Sequence, residues 1–205
     1  MSAVAHRTYT PEEYLTMERE AEYKSEYLDG HIYAMAGASM EHNTISANVA
    51  RLVGNSFVGR PCRVFSSDMR VQAQDIDLFY TYPDIVAVCG APVLADTKMD
   101  TLTNPTVLFE VLSPSTEAYD RGRKFELYRK IASLQEYVLL AQDRAFVEHY
   151  VRSGSKWELS DISGLDGTLQ LGSIQCKLAL RDIYDKVEFS EVAAGRVDEG
   201  ESSQP

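Results

Sequence analysis

No stretch of this sequence approaches the roughly 20 consecutive apolar residues that a membrane-spanning helix needs. The first residues, Met1 to Thr8, contain no apolar signal core, so the expected location is cytoplasmic. Cysteine is scarce. Cys62, Cys89 and Cys176 are odd in number and widely spaced, with no C-x-x-C. That excludes a zinc knuckle built on paired cysteines and argues against a disulfide framework. Three reduced and mostly buried thiols are expected. Positive charge is also in deficit. A formal net charge of -11 tells against a large nonspecific nucleic-acid surface, which would be basic. The deficit is uneven: five acids face one arginine from Glu188 onward, whereas five bases face two acids between Asp120 and Lys130. A local basic strip can still meet phosphate.

The 205 residues suffice for one domain with a sizeable core. There is no internal repeat and no interior low-complexity linker. Thr10-Pro11-Glu12-Glu13 reads as a helix start: Thr10 caps, Pro11 suits the first helical position, and Glu13 completes a capping box. That helix should reach about Arg19. Tyr27-Leu28, Asp29-Gly30 and Ile32–Met35 read as a hairpin, because Asp-Gly supplies the positive φ angles of a tight turn. Ser39 is expected to cap a second helix running to about Phe57. Ile45, Val49, Leu52, Val53 and Phe57 line one of its faces.

Strands are expected near Arg63–Ala73, Ile85–Cys89 and Thr106–Leu112. A long helix should follow over Glu117–Leu134, then strands at Tyr137–Ala141, Phe146–Val151 and Trp157–Leu159, with a hairpin turn at Ser153-Gly154. This order predicts a single α/β domain over 1–187 with a mixed β-sheet flanked by helices. Residues 188–205 read as an acidic, disordered tail.

Three polar residues stand where the pattern calls for apolar ones. Glu110 interrupts Val107-Leu108-Phe109-Glu110-Val111-Leu112, otherwise a fully covered central strand. An ionised carboxylate there costs several kcal/mol unless it is paired or binds metal. Asp84 follows Pro83 at the entry of the Ile85–Cys89 strand, where a turn aspartate would also fit. If the two strands are neighbours, about 4.8 Å apart, both carboxylates could share one hard cation. Lys124 is the third. At about 100° per residue it lies mid-stripe among Phe125, Leu127, Tyr128 and Ile131, with Asp120 one turn earlier. Lysine is rarely placed so without a partner, and a Lys124–Asp120 pair or a snorkelling side chain competes with a role in a site. His42, in the first turn of the second helix, reads as a satisfied structural histidine or a site member. Glu26 reads as a solvated strand-end acid or a site member. His31 and His149 read as ordinary hairpin and strand positions.

A Pro-Asp at a strand start, an acid in the next apolar strand and a nearby lysine resemble the PD-(D/E)xK nuclease superfamily. The wider set, Glu26-Tyr27-Leu28-Asp29-Gly30, His42, Pro83-Asp84-Ile85, Phe109-Glu110-Val111-Leu112-Ser113-Pro114-Ser115-Thr116 and Asp120…Lys124…Tyr128, is similar to the bacterial Uma-type family of restriction-endonuclease-like proteins. The similarity runs from about Thr10 to about Ala141, and more loosely to Asp185. A Glu-x-Lys pattern would place lysine at 112, where this chain has Leu112. The resemblance implies that the lysine has moved to the following helix, as Lys124.

The resemblance further implies a restriction-endonuclease-like core and a Mg²⁺-dependent nuclease, with Mn²⁺ as a substitute. Asp84, Glu110 and the Val111 carbonyl would hold the ion. Lys124 would orient water or offset phosphate charge, and Glu26 and His42 would complete the site. Arg121 and Arg123 would contact flanking phosphates of nucleic acid, most simply DNA. A homodimer would let two sites face two strands. The competing expectation is a catalytically silent protein on the same fold, acting as a binding or regulatory module. A carboxylate-pair glycosidase is a third reading. It gives Lys124 no role, and one tryptophan does not make a sugar-stacking cluster.

Overall fold

The computed structural model describes residues 7–73 and 79–189. The expected disorder of the tail, from residue 190 onward, lies outside the described residues. Helix α1 (Pro11–Glu20) begins at Thr10 with the reciprocal capping box formed by Thr10 and Glu13. The hairpin of β1 (Ser25–Leu28) and β2 (His31–Ala34) turns on Asp29 and Gly30, with φ of 49° and 83°. Helix α2 (Met40–Ser56) starts at Ser39, whose hydroxyl accepts from the His42 N–H at 3.1 Å.

Strands β3 (Cys62–Ser66), β4 (Arg70–Gln72), β5 (Phe79–Thr81), β6 (Ile85–Cys89), β7 (Thr101–Leu102) and β8 (Val107–Leu112) follow. Next come α3 (Glu117–Tyr119), a π turn (Asp120–Lys124) and α4 (Phe125–Tyr128). The described chain closes with β9 (Glu136–Ala141), β10 (Phe146–Ser153), β11 (Lys156–Ser163), β12 (Thr168–Leu171), β13 (Cys176–Ala179) and α5 (Leu180–Ile183).

Two mixed sheets organise these elements. One has the order β2-β1-β5-β4-β7 and the other β11-β10-β9-β8-β6-β3, while β12 and β13 form a separate hairpin. In the six-stranded sheet only β8 and β9 run parallel. The crossover between them carries α3, the π turn and α4, as parallel neighbours require a long connection. Strand alternation sorts the core. Ile85, Ala87, Val107, Phe109 and Val111 face α2 through Ile45, Val49 and Val53. Val86, Val88, Leu108 and Leu112 face the other way, onto Leu127, Tyr128, Leu134 and the five-stranded sheet.

Three expectations are corrected. The single strand over Arg63–Ala73 is two strands in different sheets, because Ser66, Ser67 and Asp68 make a turn closed by Met69 N–H donating to Ser66 O at 3.1 Å. The long helix Glu117–Leu134 widens at the π turn around Gly122 and stops at Tyr128. Beyond that point the Arg152 guanidinium takes the carbonyls of Arg129, Ile131 and Leu134, which a continuing helix would have claimed. The cysteines are not all free. Cys62 and Cys89 are disulfide-bonded, since the β3–β6 register sets them directly opposite with Cα atoms 4.1 Å apart, and Cys176 is the free, buried thiol. No described helix is long and apolar enough to cross a membrane.

Candidate active site

The β6–β8 register pairs Ile85 with Phe109, so one residue further on Asp84 stands opposite Glu110. Glu110 alternates with Leu108 and Leu112 on β8, while Asp84 immediately precedes β6. The Val111 N–H donates to Asp84 Oδ2 at 2.7 Å, which anchors the carboxylate across the strand gap. His42, in the first turn of α2, brings Nε2 to 3.1 Å from the same oxygen. Its other ring nitrogen, Nδ1, is buried without a hydrogen-bond partner.

Glu110 and Lys124 are 4% and 6% exposed, and Lys124 Nζ lies 2.9 Å from Glu110 Oε1. Glu26 and Asp120 complete a set of three carboxylates about that ammonium, at 3.3 and 3.6 Å. Glu26 is therefore not a solvated strand-end acid. The β1–β5 register, with Tyr27 opposite Tyr80, brings it beside Thr81, whose hydroxyl donates to Glu26. The Tyr128 hydroxyl donates to Glu110 Oε1 at 2.7 Å and lies 3.3 Å from the Thr81 hydroxyl. The π turn contributes directly. It points Asp120 and Lys124 inward together, and π turns of this kind recur at functional sites.

Burial pushes the Glu110 carboxyl well above the ordinary glutamate value; Lys124 opposes this, and Asp84 and Asp120 add to it. Burial also raises Asp120. For Lys124, burial works downward, but Glu110, Glu26 and Asp120 outweigh it and hold the ammonium well above the ordinary lysine value. One cation thus sits among more negative charge than it can neutralise.

Every donor near Asp84 and Glu110 that could take a metal is an oxygen, apart from His42. Among the described residues, no group of three or more His, Cys, Asp or Glu side chains is arranged to hold a metal ion. Two carboxylates and a backbone carbonyl suit Mg²⁺, which keeps several waters and uses one or two protein carboxylates. They do not suit a dedicated cage of side chains.

The outlying arginines are already engaged. Arg121 pairs with Glu117 and Glu148, and Arg123 with Glu126 and Asp29. Tyr128 and Asp120 were legible in the sequence motif, but Thr81 gave no signal there. His149 is not an ordinary strand position: it is buried and pairs with Glu136. A cavity of about 500 Å³ lies by that pair, lined by Gln135, Glu136, Arg152 and Ser173 among others and not by Lys124. Arg152 there is spent on carbonyls and Glu136 on His149 and the Ser173 N–H. Buried Arg70 is satisfied by Thr101, Tyr82 and Asp100. The chemistry therefore concentrates at Lys124.

Mixed sheets flanked by helices, with an aspartate and a glutamate opposed on neighbouring strands, define a restriction-endonuclease-like α/β protein. The model of the Uma2 family, described as "Putative restriction endonuclease", matches residues 11–181, and the chain belongs to that family. Two uncharacterized proteins of Synechocystis sp. are similar over most of their length. The protein sll1609 is 35% identical over 171 residues, 83% of this chain and 96% of its own. The protein slr1290 is 37% identical over 181 residues, 88% of this chain and 93% of its own. In fold, the chain is similar to the crystal structure of a "putative nuclease belonging to DUF820" from Anabaena variabilis, with a TM-score of 0.70, 21% identity, and coverage of 85% of this chain and 97% of that one.

Proposed function

We propose that this protein hydrolyses phosphodiester bonds in nucleic acid, most simply DNA, with Mg²⁺ or Mn²⁺ bound at Asp84 and Glu110. The observation that carries this reading is the Asp84 carboxylate held on the backbone N–H of Val111, next to Glu110, at 2.7 Å, with the Lys124 ammonium 2.9 Å from Glu110. When bound, the ion supplies Lewis acidity and a water of lowered pKa. Asp84, Glu110 and the Val111 carbonyl hold it. His42 and the Val111 N–H fix the Asp84 carboxylate, and Tyr128 fixes Glu110. Lys124 offers a compact positive charge to the attacked phosphate. Glu26 and Asp120 hold that ammonium in place. In this reading the protein works in the cytoplasm, and a homodimer presents two sites to two strands.

The test is cleavage of DNA and RNA by the full chain with Mg²⁺, with Mn²⁺ and with EDTA, against the Asp84→Asn, Glu110→Gln double variant. Metal-dependent cleavage lost in the variant supports the reading. Equal cleavage by both proteins, or none by either with any metal, overturns it. A second reading, a silent binding or regulatory module, is favoured by one observation: Arg121 and Arg123 are each already held by two carboxylates. Metal binding without cleavage would support that module.

A further inference from the structure

The C-terminal ends of the parallel pair β8 and β9 open onto a cleft of about 140 Å³. Leu112 and Ala141, the last residues of the two strands, line it. Leu112 is the next residue after Glu110 on the same strand face, about 7 Å further along at a strand rise of about 3.3 Å per residue. The cleft is thus the immediate neighbour of the candidate site. Its remaining polar lining is of a particular kind. Ser113 brings a hydroxyl, clustered with those of Ser115 and Thr116 at 3.0 and 2.9 Å. Gln142 brings an amide, with its side-chain oxygen accepting from Ser39 at 3.0 Å. Arg121 and Arg144 bring two guanidinium groups.

Arg144 rests on Asp143 at 3.1 Å, and Arg121 is shared between Glu117 at the cleft's rim and the part-buried Glu148 at 2.9 Å. Arg144 is 58% exposed. An exposed pair such as Arg144–Asp143 is worth little, about 0–1 kcal/mol, so an incoming anion can exchange for Asp143 at small cost, and for Glu117 on Arg121 while Glu148 keeps that guanidinium in place. Guanidinium matches phosphate in bidentate geometry. Arg123 has no place in this cleft; it turns to Asp29 and Glu126.

We propose that this cleft binds a backbone phosphate of a nucleic-acid strand, next to the phosphate held at Lys124, with Arg144 and Arg121 as its cations and Ser113 and Gln142 as neutral donors. The inference rests on the nuclease reading only for the substrate class; the cleft itself is independent of any catalysis. It makes Asp143 and Glu117 internal competitors of the ligand, which gives two variants of opposite sign.

The experiment is fluorescence anisotropy of the full chain with a 12-base-pair DNA duplex and a 12-nucleotide single strand, in EDTA, over a range of salt. Arg144→Ala should weaken binding roughly fivefold to twentyfold. It should also make the slope of log affinity against log salt shallower by about 0.9 on the duplex, the loss of one phosphate contact. Asp143→Asn should tighten binding severalfold. Lys177→Ala and Asp182→Asn, the same charge changes on β13 and α5, should alter it less than twofold. Equal affinity and slope in wild type, Arg144→Ala and Asp143→Asn overturns the proposal, as does absence of any binding to either probe. Hydrolysis of bis(p-nitrophenyl) phosphate with Mn²⁺ reads the other question. If no diester is cleaved but the affinity changes stand, the nuclease reading fails and the phosphate cleft survives.

Discussion

Lys124 Nζ lies 2.9 Å from Glu110 Oε1, with both side chains almost wholly buried, and the pair is not alone: Glu26 and Asp120 face the same ammonium. The two members are therefore unequal. Removing the Glu110 charge leaves Lys124 two carboxylate partners. Removing the Lys124 charge leaves three carboxylates facing one another without their cation.

Glu110→Gln should accordingly stay within about 1 kcal/mol of wild type in a urea melt run in EDTA, because a disfavoured buried charge has gone. Lys124→Met should cost about 3–5 kcal/mol, as breaking a buried ionic cluster does. Equal and large losses in both would mean that Glu110 is the principal partner that keeps Lys124 folded inside.

Metal-free stability should fall as pH rises above the ordinary glutamate range. Glu110 and Asp120 have carboxyl pKa values raised by folding. Each therefore binds its proton more tightly in the folded state than in the unfolded one. That contribution is fully present below the unfolded value and is lost as pH climbs through the folded value. Asp100 acts oppositely. Its hydrogen bond from Arg19 holds its carboxyl below the usual range, so its contribution disappears only in strong acid. Melting temperatures in EDTA between pH 4.5 and 8 should decline, and Glu110→Gln should flatten the decline. An unchanged slope in that variant would remove Glu110 as the cause.

Divalent metal should bind weakly, since two carboxylates supply the protein's share of the ligands. Titration calorimetry with Mn²⁺ and Mg²⁺ should give a signal in the wild type that Asp84→Asn and Glu110→Gln both abolish. Equal heats from all three proteins would place the ion elsewhere.

The Cys62–Cys89 bridge closes a sequence separation of 27 residues. A loop of that size is worth about 3–4 kcal/mol on the chain-entropy account. Unfolded protein purified without reductant should take one alkyl group, on Cys176, and three after reduction, with the urea midpoint falling on reduction. Three alkylated cysteines before reduction would show that the bridge does not form.

Much of the local structure was legible in the sequence, because it follows from rules that act within a few residues. The capping box at Thr10, the Asp29-Gly30 hairpin and the apolar stripe of α2 each depend on neighbours one to four positions away. So does the oddity of Glu110 in an apolar strand and of Lys124 on an inward face: period 2 and period 3.6 mark them before any fold is known. The tertiary structure alone decided what those residues meet. Strand register set Asp84 opposite Glu110, Glu26 beside Thr81 and Cys62 against Cys89. Register is a pairing between distant segments, and no local period encodes it. The helix after β8 stops where it does because Arg152, on β10, captures its carbonyls. Arg121 and Arg123 looked alike in the basic strip, yet they meet different acids: residues two apart on a helix face nearly opposite sides, and only the tertiary structure decides that Glu148 stands on one side and Asp29 on the other.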